Sequence, residues 1–149
     1  MDLQDKNDLT GIFHLEVKNK KGEVVNSVTE KNVIVNAAKI ALAHLISDGA
    51  ASQKVVKHFA VGTSVTNALA TDTQLGNQVF QNDVVSYDFP EDGQVRFNWE
   101  LGFNDANGYD IAEFGLICSD GTLFAHRVRS STVFKSDDLS FSGTWTIVF

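Results

Sequence analysis

The chain has 149 residues, 43% of them hydrophobic, enough for one core and not for two comfortable ones, so a single domain is expected. Nineteen acidic against twelve basic residues give a net charge of −7, which argues against nucleic acid as a partner, since that binding needs Lys and Arg on phosphates. Met1 to Asp8 lacks the basic and apolar regions of a signal peptide, and no apolar run reaches the roughly 20 residues of a membrane span, so no membrane partner is expected.

Residues Met1 to Thr10 are polar and aperiodic and read as a flexible N-terminal arm, leaving residues 11–149 as the domain. Ile12 to Lys18 alternates Phe13, Leu15 and Val17 with His14, Glu16 and Lys18, the pattern of a half-buried strand. Asn19-Lys20-Lys21-Gly22 turns the chain into a second strand, Glu23 to Thr29. Asn32 to Val35 is short and apolar and runs into Asn36, a suitable helix N-cap. Ala38, Ala41, Leu42, Leu45 and Ile46 then recur at helical spacing over Ala37 to Ser47, with Gly49 as the stop. His44 lies at the edge of that stripe, and no His or Cys stands at metal spacing from it.

His58 to Gly62 reads as a buried strand, and Thr63 to Gly76, rich in Thr, Ala, Ser and Asn, as an exposed irregular connection. Gly62-Thr63-Ser64 lacks phosphate-loop spacing. Gln78 to Phe89 is strand-like with a bulge near Gln81-Asn82-Asp83, and Pro90 to Gly93 turns it into Val95 to Leu101. Asn104 to Asp110 has oxygen ligands but neither the alternation nor the closing Glu of an EF-hand, so an Asx-Gly turn is expected rather than calcium. Ile111 to Cys118 and Leu123 to Arg129 flank Ser119-Asp120-Gly121-Thr122, a strong hairpin signal, and Gly121 is expected at positive φ. Ser130 to Asp138 reads as a polar connection. Leu139 to Phe149 is the cleanest alternation in the chain, with Leu139, Phe141, Gly143, Trp145, Ile147 and Phe149 predicted inward. The fold class expected is all-β with one helix, an antiparallel β-sandwich of seven or eight strands with the helix on an open end or face.

No catalytic, cofactor-binding or metal constellation emerges. The histidines are scattered, no nucleophile elbow is present, and Cys118 reads as a buried thiol. Glu100 and Glu113 lie on strands and are expected to face solvent or to be salt-bridged. Glu113 beside Gly115 suggests a bulge or a closely packed backbone, with Arg127 or Arg129 across the hairpin as its partner.

An ordered set of words carries a resemblance. Asn32 to Ala38, Phe59 to Thr63 with Ala70 to Gly76, Ile111 to Leu116, Asp120 to Ala125, and Lys135 to Leu139 with Gly143 to Ile147 resemble a recurrent module of tailed-bacteriophage virion proteins, labelled tail fibre or tail proteins. The resemblance runs from about Asn32 to Phe149. It implies a non-enzymatic structural component of a virion, assembled in the host cytoplasm, in the tail, baseplate or fibre-attachment region. The implied partners are other virion proteins and further copies of the chain about threefold or sixfold axes. Docking is expected through Thr63 to Gly76 and the N-terminal arm, because an aperiodic connection of this length with small side chains is long for a compact domain and an arm without core residues can order on a neighbour. The long repetitive shaft of a complete receptor-binding fibre is lacking. A capsid decoration (cement) protein is one alternative. A carbohydrate-binding module for a host surface glycan, with Trp99, Tyr87 or Tyr109 as its stacking ring, is another.

Overall fold

The computed structural model describes residues 9–48 and 51–149. In chain order it contains β1 (Thr10–Asn19), β2 (Val24–Ile34), α1 (Asn36–Ser47), a 3₁₀ turn (Ser52–Lys54), β3 (Val56–Gly62), β4 (Gln78–Asp83), β5 (Ser86–Asp88), β6 (Gln94–Leu101), β7 (Tyr109–Cys118), β8 (Leu123–Lys135) and β9 (Leu139–Val148). The arm expected over Met1 to Thr10 lies outside the described residues up to residue 8, and Thr10 already belongs to β1. The Gly49 stop also lies outside them.

All pairings are antiparallel, and the nine strands form one sheet in the order β4-β3-β7-β8-β2-β1-β9-β6-β5, curled into a half-barrel. The mostly β architecture with one helix agrees with the sequence. The expected sandwich of seven or eight strands becomes one more continuous sheet of nine, in which no clear division into two separate sheets is seen. The curl turns on β2, which pairs with β1 from Val24 to Asn32 but with β8 only at Val33 and Ile34. At that corner Asn32 accepts a 2.8 Å hydrogen bond from Trp145 Nε1, and Gly11 opposite leaves the space its side chain fills.

Alternation puts Phe13, Leu15 and Val17 of β1 and Phe141, Trp145 and Ile147 of β9 at 0–1% exposure. The two halves meet through rings: Phe59 of β3 stacks on Trp99 of β6 at 4.1 Å, and Phe13 lies 4.7 Å from Phe114 and 5.0 Å from Trp145. Helix α1 buries Ala38 and Ala41, but Ile46 of the predicted stripe is 87% exposed. Asn36 is not its cap: Val35 holds that position without a side-chain bond, and the Asn36 N–H donates to Ala70 O.

Three further boundaries differ from the sequence reading. Gln78 to Phe89 is two strands at opposite edges of the sheet, β4 on β3 and β5 on β6, and the chain crosses between them at Val84 and Val85. Their N–H groups donate to Lys57 O and Asn98 O, one in each half, so alternation alone hid the change of partner. Strand β8 continues through Ser130 to Lys135, beyond an irregularity where Ala112 has no paired residue, because Val133 finds Ile111 again. Phe149 is 56% exposed rather than inward, although its N–H donates to Gly93 O. The hairpin β7–β8 forms as predicted, with Gly121 at φ +92°.

Candidate functional site

Two features stand out from the frame, a buried ionic clamp on the outer face and an apolar groove at the helix end. The clamp begins with Glu113, fully buried on β7. Oε1 accepts from Gly76 N at 2.7 Å and contacts His126 Nε2 at 2.9 Å; Oε2 accepts from Asn77 N at 2.7 Å and Ser64 N at 3.0 Å. His126, 4% exposed on β8, sets its other nitrogen 2.9 Å from Asp72 Oδ2, which also accepts the Leu69 N–H at 2.7 Å. Burial alone would raise the Glu113 pKa, but the His126 and backbone hydrogen bonds outweigh it and hold the carboxyl below its ordinary value. For His126 burial works downward, and the two carboxylates prevail and raise it.

Of the predicted bulge or closely packed backbone at Glu113-Phe114-Gly115, an irregularity is present just before Glu113, and the close neighbour of Gly115 is a side chain rather than a backbone. The register shifts between Ile111 and Glu113, and a Cβ on Gly115 would meet Leu75 at 2.5 Å. Neither predicted arginine pairs with Glu113: Arg127 bonds Glu30, and Arg129 Nε lies 3.9 Å from the same carboxylate. The ionic partner does come from across the hairpin, but it is His126 rather than its neighbour Arg127, and the backbone donors that complete the site, Ser64, Gly76 and Asn77, come from a connection distant in sequence. The connection Thr63 to Gly76 is irregular and mostly exposed as expected, yet Leu75 is 4% exposed and its backbone hangs on Glu113 and Asp72.

Glu100 is exposed on β6, in the other half of the sheet, and takes no part in the clamp. Cys118 is buried as expected, and burial, reinforced by Asp120, pushes its thiol up to about 12. His14 bonds Thr29 and Glu16, and His44 is exposed. In Asn104 to Asp110 the buried Lys135 ammonium donates to Asn107 Oδ1 at 2.8 Å, so one of these oxygens is already held by a cation of the chain's own. Among the described residues no group of three His, Cys, Asp or Glu is placed to hold a metal, and no helix is long and apolar enough to cross a membrane.

The groove, about 320 Å³, runs between α1 (Leu42, Leu45), the start of β3 (Val56) and the β5–β6 edge (Tyr87, Phe89, Phe97). Tyr87 is 64% and Phe89 72% exposed, with their rings 5.9 Å apart. Only Lys54 among its lining residues is charged, and its ammonium is matched 2.7 Å away by Asp120. The sequence signal was the aromatic pair flanking Asp88 before a Pro-Gly turn, two positions apart and so on one face of a strand. No family model, characterised protein or solved structure matches the chain.

Proposed function

We propose that the chain is a non-enzymatic structural component of a tailed-phage virion that acts by docking on further copies of itself and on neighbouring virion proteins. The observation that carries the docking reading is the apolar groove, whose single charged lining residue, Lys54, is paired with Asp120, with exposed Tyr87 and Phe89 at its rim, on a chain of net charge −7. Acidic copies repel one another over most of their surface, and an apolar face free of carboxylates is where that repulsion is weakest.

The occupant is the neighbouring copy's connection from Thr63 to Gly76. Val65 and Leu69 on it are 61% and 58% exposed, and the clamp fixes the backbone that presents them, which lowers the ordering cost of docking. A contact between two different patches is head-to-tail and builds rings or fibres, consistent with threefold or sixfold assembly. In this reading the opposed halves of the sheet serve as the two layers of a sandwich, one carrying the groove edge and the other the presented connection. The clamp favours a non-enzymatic role, because both nitrogens of His126 are committed to carboxylates and none is left to activate a nucleophile. The virion setting rests on the ordered words that resemble tail proteins.

For the glycan alternative, Trp99 is 1% exposed and removed from contention, while Tyr87 and Tyr109 remain open, at 64% and 43%. Mass spectrometry of purified phage particles carrying the gene tests the proposal. The wild-type chain is expected in the particle and the Phe89→Glu chain absent from it. Particles free of the wild-type chain, with glycan-array binding lost on Tyr109→Ala, would replace assembly by carbohydrate recognition.

A further inference from the structure

His126 faces a carboxylate with each ring nitrogen, Glu113 Oε1 and Asp72 Oδ2, both at 2.9 Å. An ionised carboxylate only accepts, so both contacts are hydrogen bonds only when the ring carries two N–H groups, as the imidazolium does. The neutral ring has one N–H and one lone pair, and that lone pair would point at an oxygen. The same two carboxylates hold the connection that runs over the outer face. Asp72 accepts the Leu69 N–H, and Glu113 accepts those of Ser64, Gly76 and Asn77, so the middle and both ends of the segment hang on two anions with one ring between them.

The other charged groups around the ring are few. Lys31 of β2 and Arg127 of β8 line the same surface depression as His126, and Arg127 is engaged by Glu30 of β2. The β3 residue against Glu113 is Gly62, which brings no charge and whose missing Cβ leaves room for the carboxylate. Deprotonating His126 therefore leaves Asp72 and Glu113 without the cation between them.

We infer that Asp72, His126 and Glu113 form a proton-gated latch: the segment from Thr63 to Asn77 is closed while His126 is an imidazolium and loosens when the ring gives up its proton. The latch is a property of the isolated chain and holds or fails whether or not the segment docks on a neighbour. Closure raises the His126 pKa above 6.5, so its contribution is complete below 6.5 and is lost as pH rises through the raised value. Closure lowers the Glu113 pKa below 4.5, so that contribution is complete above 4.5 and is lost as pH falls through the lowered value. The segment is held most firmly between these two limits.

The test follows the His126 ring by NMR titration and amide exchange at Ser64, Gly76 and Asn77 on the dilute, monomeric chain from about pH 5 to about pH 9, corrected for intrinsic exchange. Protection of these amides is expected to fall about tenfold for each unit by which the ring's midpoint exceeds its ordinary value, while that of Val61 in β3 holds. Asp72→Asn removes one of the two anions and is expected to move the ring's midpoint and the loss of protection down in pH together. Segment protection that does not change through the ring's titration, or a midpoint at or below 6.5, overturns the latch. The wild-type titration decides the matter without needing any variant to fold. Self-association that persists beside a pH-invariant segment would show the latch to have failed and the docking to stand.

Discussion

Glu113 has four donors on two oxygens, two on each, and that division makes even the closest substitution costly. In Glu113→Gln one oxygen becomes an NH₂, and whichever way the amide is turned it faces two donors. Leaving buried partners unmatched costs about 3 to 5 kcal/mol. Urea denaturation is expected to show a loss of that order, whereas Glu100→Gln, exposed on β6, should stay within about 0.5 kcal/mol. A loss below about 1 kcal/mol at Glu113 would mean that the connection re-forms without its anchor. Gly143 is a second such residue. It lies on β9 between Leu15 and Trp99, and a Cβ there would run into the His14 carbonyl and come within 2.8 Å of the Trp99 ring. Since the obstacle is partly backbone, Gly143→Ala is expected to destabilise by about 3 kcal/mol, the upper end of overpacking costs, as read from its denaturation midpoint. An unchanged midpoint would show that β1 shifts freely.

Strand β9 is flanked by β1 and β6, so its removal splits the sheet there and turns both neighbours into unpaired edges, β1 left with β2 alone and β6 with β5 alone. Deleting Trp145 to Phe149 takes away two fully buried side chains, Trp145 and Ile147, each worth about 1.5 to 3 kcal/mol, as well as the ladder bonds on both sides. Against a stability of about 5 to 15 kcal/mol the truncated chain is expected to show no cooperative thermal transition. A melt close to that of the intact chain would make β9 peripheral. Elements of this kind were legible in the sequence because period-two alternation reports a buried face directly, as in β1 and β9, whereas the β7–β8 hairpin, largely buried on both faces, was legible from its Asp-Gly turn. The division of Gln78 to Phe89 was not legible, because both pieces are edge strands and alternation does not name the neighbour. The clamp was half legible: Glu113 beside Gly115 flagged a close approach and a partner across the hairpin, but the backbone donors and Asp72 depend on which connection is brought over it.

At the scale of the molecule, one sheet curled about an aromatic core leaves two features with no evident use inside a single chain, the open groove and the connection pinned over the outer face. Their joining in adjacent copies is the central claim. Sedimentation velocity on the wild-type chain, on Phe89→Glu, on Leu69→Lys, and on an equimolar mixture of the two variants tests it most directly. Phe89→Glu spoils the groove and Leu69→Lys the inserted segment, so each alone is expected to be monomeric while the wild type forms a closed oligomer. In the mixture one intact groove meets one intact segment, so the species expected is a dimer that grows no further. A wild-type chain that sediments as a monomer at every concentration, or variants that assemble as the wild type does, would contradict the account.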